Sequence, residues 1–171
     1  MPLPALEPLL DRFVSETRKR LTEHNIVDPR LLGIHSGGVW LAEHLRSALG
    51  IGEAVGALDI SFYRDDFTRV GMHPTVRPSR IPWDVENRHL VLVDDVLYTG
   101  RTIRAALNEI FDYGRPASVT LAVLISRNGR ELPIEAGAVG AHLALPAGQQ
   151  IKLRGPQPLQ LEIIERGARP A

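Results

Sequence analysis

Hydrophobic positions along the chain recur with two periods, one near four residues and one near two, and the two alternate in order. Leu6, Leu10, Phe13, Val14 and Leu21 fall at roughly helical spacing, with Arg18, Lys19 and Arg20 between them, so an amphipathic helix is predicted over 5–24. Asn25 and the Asp28-Pro29 pair end it. Leu31-Leu32-Gly33-Ile34 reads as a short buried strand, followed by a Ser36-Gly37-Gly38 turn and a helix to about Leu49, closed by Gly50 and Gly52. Val55 to Tyr63 reads as a strand with Leu58, Ile60 and Phe62 on one face. Residues 67–82 have no period. Leu90 to Val93 is a fully apolar run, the mark of a central parallel strand covered on both faces. From Thr102, the positions Ile103, Ala106, Leu107 and Ile110 are helical until Gly114 and Pro116 stop them, and Val119 to Ile125 is another apolar strand. Beyond it the pattern is irregular, with weak strands near Ile151–Leu153 and Leu159–Ile164. Strands alternating with helices predict an α/β fold with a mainly parallel central sheet and helices on both faces. One domain is expected over 1–171, with a small C-terminal cap over about 127–171 beside the sheet edge.

Composition removes several classes of chemistry. Lys+Arg and Asp+Glu each total 20, so the formal net charge is zero, which argues against a globally basic nucleic-acid binder. The positive charge is almost all arginine, whose fork suits phosphate and carboxylate; only Lys19 and Lys152 are lysines. There is no cysteine, which excludes disulfides, thiolate metal sites and cysteine nucleophiles. His24, His44, His89 and His142 show no metal-ligand spacing. No apolar run reaches the roughly 18–20 residues of a bilayer span. Asp11, Arg12 and Glu16 interrupt any leader pattern after the first residues. A cytoplasmic protein with no membrane partner is expected.

The chemistry is concentrated in Leu90-Val91-Leu92-Val93-Asp94-Asp95-Val96-Leu97-Tyr98-Thr99-Gly100-Arg101-Thr102. Ligands on open α/β sheets sit beyond the carboxyl ends of the strands, which is where Asp94 and Asp95 are expected. Two adjacent carboxylates can accept hydrogen bonds from the two hydroxyls of a ribose, or face water around a divalent cation. The following residues turn into a helix N-terminus, whose amides favour an anion. Thr99 and Thr102 add hydroxyls, and Gly100 lets the backbone approach closely. A ribose binder and a phosphate binder therefore lie about one sugar apart. The bland alternative is a buried strand ending in a solvated acidic turn, with Thr102 as a helix cap.

This segment resembles the 5-phosphoribosyl pyrophosphate (PRPP) motif of the type I phosphoribosyltransferases, where four apolar residues precede two acids and a Thr-Gly-x-Thr loop. The resemblance implies a type I phosphoribosyltransferase-like sheet, PRPP with Mg²⁺ as substrate, and displacement of pyrophosphate by a nucleobase nitrogen. Leu58-Asp59-Ile60-Ser61-Phe62-Tyr63-Arg64-Asp65-Asp66, Gly114-Arg115-Pro116 and Arg130-Glu131-Leu132-Pro133-Ile134 extend the similarity to the PyrR family. PyrR proteins are pyrimidine operon regulators that also have uracil phosphoribosyltransferase activity. The expected reaction is uracil plus PRPP to UMP plus pyrophosphate. A phosphoribosyltransferase for another base, and a nucleotide-sensing RNA-binding attenuation regulator with little or no catalysis, are the competing readings.

The resemblance and local physics together suggest roles for single residues. Asp94 and Asp95 hold the ribose hydroxyls; Val96, Leu97, Tyr98, Thr99, Gly100, Arg101 and Thr102 form the 5-phosphate segment. The backbone of Ser36, Gly37 and Gly38 cradles pyrophosphate. No side chain is expected to ligate the metal directly: Mg²⁺ arrives on PRPP, water-bridged to Asp94 or Asp95. Residues 67–82 carry Arg69, Arg77 and Arg80 and no acid, which suits a cover for a departing pyrophosphate, with Arg77 or Arg80 acting on it. Arg127 is expected to contact base and PRPP, the alternative for Arg127 and Arg130 being surface ion pairs with Glu131 or Glu135. Tyr63 to Asp66 either line the site or form a structural network. Trp40 and Trp83 read as core or interface residues.

Three positions depart from the family where leader RNA is concerned. The first-helix Thr-Arg pair falls at Ser15-Glu16, the arginine of the turn after the first strand is Gly37, and the histidine before the Arg-Glu-Leu-Pro segment is Gly129. Together with zero net charge they count against RNA attenuation. A homo-oligomer, a dimer or larger, is expected from the family.

Overall fold

The computed structural model describes residues 2–60 and 79–167. Helix α1 (Leu6–Glu23) buries Leu9, Leu10, Phe13, Val14 and Leu21 along one stripe, as the spacing predicts. It ends next to Asn25, whose φ of 55° lies in the left-handed region that asparagine tolerates. Strand β1 (Arg30–Ile34) is buried throughout and leads into α2 (Gly37–Leu49), which closes on Gly50 with φ 67°. Strand β2 (Gly56–Leu58) is short. After it come β3 (His89–Leu97), α3 (Arg101–Tyr113), β4 (Ser118–Arg127) and β5 (Ala138–Leu143). A hairpin of β6 (Gln149–Arg154) and β7 (Gln160–Glu165) completes the described chain.

The five strands β2-β1-β3-β4-β5 form one wholly parallel sheet, and β6 and β7 pair antiparallel beside it. Helices α1 and α2 and the hairpin share one core with one face of the sheet, through Phe13, Leu41, Leu45, Val91, Leu124 and Ile151. Helix α3 packs Ile103, Ala106 and Ile110 on Leu32, Leu92 and Val123 of the other face. Burial on both faces is the reason β3 and β4 read as unbroken apolar runs. The chain after β1 thus goes to one face and the chain after β3 to the other. Where neighbouring strands send their helices to opposite faces, a crevice opens at their carboxyl ends.

The elements differ from the sequence pattern in three places. Strand β3 does not stop at Val93 but continues through both acids to Leu97, because Asp94, Val96 and Leu97 still pair with Val123, Ile125 and Ser126 of β4. Strand β2 ends at Leu58, short of the expected Tyr63; Asp59 and Ile60 are not strand, and 61–63 lie outside the described residues. Within the stretch read as a cap, Ala138–Leu143 is a fifth strand of the central sheet. It is poor in β-branched residues and interrupted by Gly140, which hides it from periodicity. Gly140 is required there, since a Cβ would stand 2.5 Å from the Leu124 carbonyl oxygen. The β6–β7 hairpin lies in the remainder of that stretch.

Candidate active site

The crevice between β1 and β3 is set by glycine. A Cβ on Gly33 would lie 2.5 Å from the Val39 Cα, and one on Gly38 would lie 2.3 Å from the Val93 carbonyl oxygen. The first turn of α2 therefore rests directly on the backbones of β1 and β3, a contact no other residue type allows. A Cβ on Gly37 would stand 2.7 Å from Oδ2 of Asp95. The Ser36–Gly38 loop and the acid pair, 57 residues apart at Gly38 and Asp95, meet at that point. The His35–Ser36 peptide is cis, and the His35 amide donates to the Leu58 carbonyl at 2.9 Å. Ser36 caps α2 without a side-chain bond, so the Gly37 and Gly38 amides keep their capacity for an acceptor, while the Val39 amide donates to the Ser36 carbonyl at 3.1 Å.

Asp94 is 3% exposed and Asp95 is half-buried. One carboxylate oxygen of each is occupied by the next amide: Asp95 N donates to Asp94 Oδ1 and Val96 N donates to Asp95 Oδ1, both at 2.9 Å. These short bonds fix the two carboxylates against the strand. The Asp95 Oδ2 faces the loop where Gly37 has no side chain.

Tyr98, Thr99 and Gly100 join β3 to α3, with Gly100 at φ 94°, so the N-cap is glycine and Thr102 lies one residue inside the helix rather than capping it. Thr99 Oγ1 accepts from the Arg101 amide at 3.2 Å. The outside of this turn is clamped by Arg130-Glu131-Leu132-Pro133-Ile134. The Glu131 and Leu132 amides both donate to the Thr99 carbonyl, at 2.9 and 3.1 Å. Arg130 donates through Nη1 to the Tyr98 carbonyl and through Nη2 to Ser126 Oγ at 3.0 Å. Arg101 Nε donates to Glu131 Oε2 at 2.9 Å. Leu132 and Ile134 pack against Gly100. The segment that reads as a family signature is thus the buttress of the turn, a role only its non-local contacts disclose.

Arg127 is not in a surface ion pair. It is 7% exposed, and its Cζ stands 4.1 Å above the centroid of the Tyr98 ring. Its Nη1 donates to the Gln149 carbonyl of β6 at 2.7 Å, and its Nε makes a long 3.4 Å bond to the Asn128 carbonyl. Glu131 is paired instead with Arg101. A cleft of about 480 Å³ opens beside the ends of β4 and β5, lined by Ser126 to Arg130 and by His142 to Ala144. Asn128 holds its rim, exchanging side-chain hydrogen bonds with the Leu145 amide and carbonyl at 2.8 and 3.3 Å.

Of the expected cover, Arg69 and Arg77 lie outside the described residues, as do Tyr63, Arg64, Asp65 and Asp66. Arg80 is exposed and pairs through its backbone with Ala57, with both bonds at 2.7 Å, which puts it beside the sheet-edge strand β2. Trp83 donates its indole N–H to the Ala54 carbonyl, and Trp40 packs at Gly155 of the hairpin, so both tryptophans brace the structure.

The donor set also bears on a metal. Among the described residues no group of three or more His, Cys, Asp or Glu side chains could hold an ion unaided. A cation carried on polyphosphate oxygens, with Asp95 Oδ2 within reach across the gap at Gly37, fits these residues. No helix among the described residues is long and apolar enough to cross a membrane.

Known proteins resemble this chain in sequence and in fold. The phosphoribosyl transferase domain family matches residues 3–143. The chain is 59% identical to the Bifunctional protein PyrR of Pseudomonas paraeruginosa over 162 residues, 95% of either chain. It is 56% identical to the Bifunctional protein PyrR of Nitrosococcus oceani, over 92% of this chain and 90% of that one. In fold it is similar to a hypoxanthine-guanine phosphoribosyltransferase of Bacillus anthracis, with TM-score 0.66 and 14% identity over 84% of this chain and 83% of that one. A hypoxanthine phosphoribosyltransferase of Staphylococcus aureus gives TM-score 0.64 and 18% identity, over 86% of this chain and 78% of that one.

Proposed function

The chain belongs to the phosphoribosyltransferase family, in its PyrR branch, and from that premise we propose that it converts uracil and PRPP into UMP and pyrophosphate and takes part in regulating pyrimidine biosynthesis genes. The observation that carries the reading is the meeting of the Ser36–Gly38 loop with Asp95, one turn of chain before the clamped Tyr98–Gly100 loop. Two anion cradles then flank one pair of carboxylates.

The 5-phosphate sits at the turn into α3, where the first-turn amides have no intrahelical acceptor and Thr99 and Thr102 supply hydroxyls. Asp94 and Asp95 accept from the ribose hydroxyls, already oriented by the bonds from their neighbouring amides. The backbone of Ser36, Gly37 and Gly38 receives the pyrophosphate. In the reaction the bond from ribose C1 to pyrophosphate breaks, the bond to uracil N1 forms, and the N1 proton is released. Charge moves onto pyrophosphate and leaves C1 electron-poor, so positioning and fixed dipoles do most of the work. When bound, Mg²⁺ neutralises polyphosphate charge; Asp95, or Asp94 through water, would hold it. Arg77 or Arg80 supplies positive charge to the departing group.

The acceptor base lies on the side of Arg127 and the β6–β7 hairpin. Regulation is a second activity of the same nucleotide-binding site, with Glu16, Gly37 and Gly129 reducing the charge available to leader RNA. The assembly is at least a dimer. The test is a spectrophotometric assay with PRPP, Mg²⁺ and uracil, against hypoxanthine, guanine and orotate. Turnover with uracil alone is the expected result. Turnover with a purine base alone would overturn the choice of base, and binding of PRPP or UMP without turnover would turn the chain into a nucleotide-sensing regulator.

A further inference from the structure

A buried arginine usually answers a carboxylate, yet Arg127 pairs with none among the described residues. Its cation is met by an aromatic face on one side and carbonyl oxygens at its edge. The three partners belong to three different parts of the molecule. Tyr98 is on the phosphate loop, Asn128 follows the end of β4, and Gln149 opens the hairpin, which is a sheet of its own. Among the described residues Arg127 is therefore a polar link between the phosphate loop and the hairpin. The site is built to keep the ring in place. Gly129 has φ 107°, and a Cβ on it would come within 2.5 Å of the Tyr98 ring. Any side chain at 129 would push the ring away from the guanidinium.

We propose that Arg127 is a positioning residue that couples occupancy of the phosphate loop to the seating of the β6–β7 hairpin, through the Tyr98 ring on one side and the Gln149 carbonyl on the other. The inference rests on assigning the Tyr98–Thr102 loop to the 5-phosphate. A guanidinium is planar and rigid, so a ring that tilts as the loop closes on phosphate tilts the plane with it. The 2.7 Å bond passes that tilt to β6. Among the described residues the hairpin is further held by apolar packing through Ile151, Leu153 and Leu161, which has no preferred direction. A phosphoribosyl ligand then readies the base side before the base arrives, and the coupling is reciprocal: base binding tightens the loop on phosphate.

The chain has two tryptophans, and they report on different places. Trp40 packs on Gly155 at the hairpin, and Trp83 packs beside Gly56 near the sheet edge. Protein labelled with 5-fluorotryptophan is titrated with ribose 5-phosphate, which carries the phosphate and has no leaving group, and read by fluorine NMR. In the wild type the Trp40 line shifts in step with saturation while the Trp83 line stays. Tyr98→Phe, which keeps the aromatic face, retains the Trp40 shift at saturation. Tyr98→Leu and Arg127→Met lose it, whatever their affinity for the ligand. A full Trp40 shift in either of these two variants overturns the coupling, as does a wild type that binds with Trp40 unmoved. A wild type that does not bind ribose 5-phosphate overturns the phosphate-loop assignment as well, an outcome distinct from binding without a shift.

Discussion

The junction after β1 and the junction after β3 both turn a strand into a helix with no capping side chain, but they are held by opposite means. The Ser36–Gly38 junction is held by missing atoms: Gly33 and Gly38 bring backbone onto backbone and leave no room for a Cβ, and Gly37 faces the Asp95 carboxylate. The Tyr98–Gly100 junction is held by added contacts, since four residues more than thirty positions away in sequence clamp its carbonyls and its glycine. Close approach is intolerant of any side chain, because the cost is a clash with backbone. A clamp of several bonds gives way one bond at a time. The two junctions should therefore answer mutation very differently.

The largest expected effect is from Gly38→Ala. Its Cβ would fall 2.3 Å from the Val93 carbonyl oxygen, and overpacking of that kind costs about 3 kcal/mol or more. A urea unfolding curve should show a lower midpoint with an unchanged slope; a midpoint equal to wild type breaks the comparison outright. Next is Gly37→Ala, where the clash is with the Asp95 carboxylate, a group able to rotate. Stability should drop by about 1 kcal/mol, but kcat/KM should fall about a hundredfold because the carboxylate is displaced by about 1 Å. Equal losses in stability for the two variants would mean the loop moves as a body and the acid stays. Arg130→Gln removes one charged donor from the clamp. A loss of about 1.5 kcal/mol should appear as roughly a tenfold rise in KM for PRPP with kcat nearly kept. The smallest effect is from Glu131→Gln. It breaks an exposed pair with Arg101 and should change stability by less than about 1 kcal/mol. What effect there is should vanish in high salt.

The clamped junction is the one whose chemistry is legible in the sequence. Acids, glycine and threonines lie within one short run, so local spacing gives the strand, the turn and the helix that follows. Even so, the acids belong to the strand and not to the turn, because the pairing of Asp94 with Val123 is a fact about β4 that residues 90–102 do not contain. The clamp itself is not legible: nothing in Arg130 to Ile134 says that its amides face the Thr99 carbonyl. The glycines after β1 read as a turn, but the turn is His35-Ser36 and both glycines lie in the first turn of α2. That Gly37 faces an acid 58 positions later could not be seen, since the absence of a side chain carries no pattern of its own. Strand β5 was hidden for the same reason, its Gly140 being dictated by the neighbouring strand.

The place of β3 in the sheet has a consequence for how the molecule is made. It pairs with β1 on one side and β4 on the other, and its alternating residues enter both cores: Val91 and Val93 one, Leu90 and Leu92 the other. The first sixty residues emerge from the ribosome with β1 and β2 already able to pair, yet without the strand that completes either core. Such a piece exposes apolar surface it cannot bury, and contacts this distant in sequence form slowly. The nascent chain stays open until β3 arrives, and β3 brings the acid pair with it. The strand that enters both cores is thus the one that carries the acid pair, so neither core can be completed before that pair is in place.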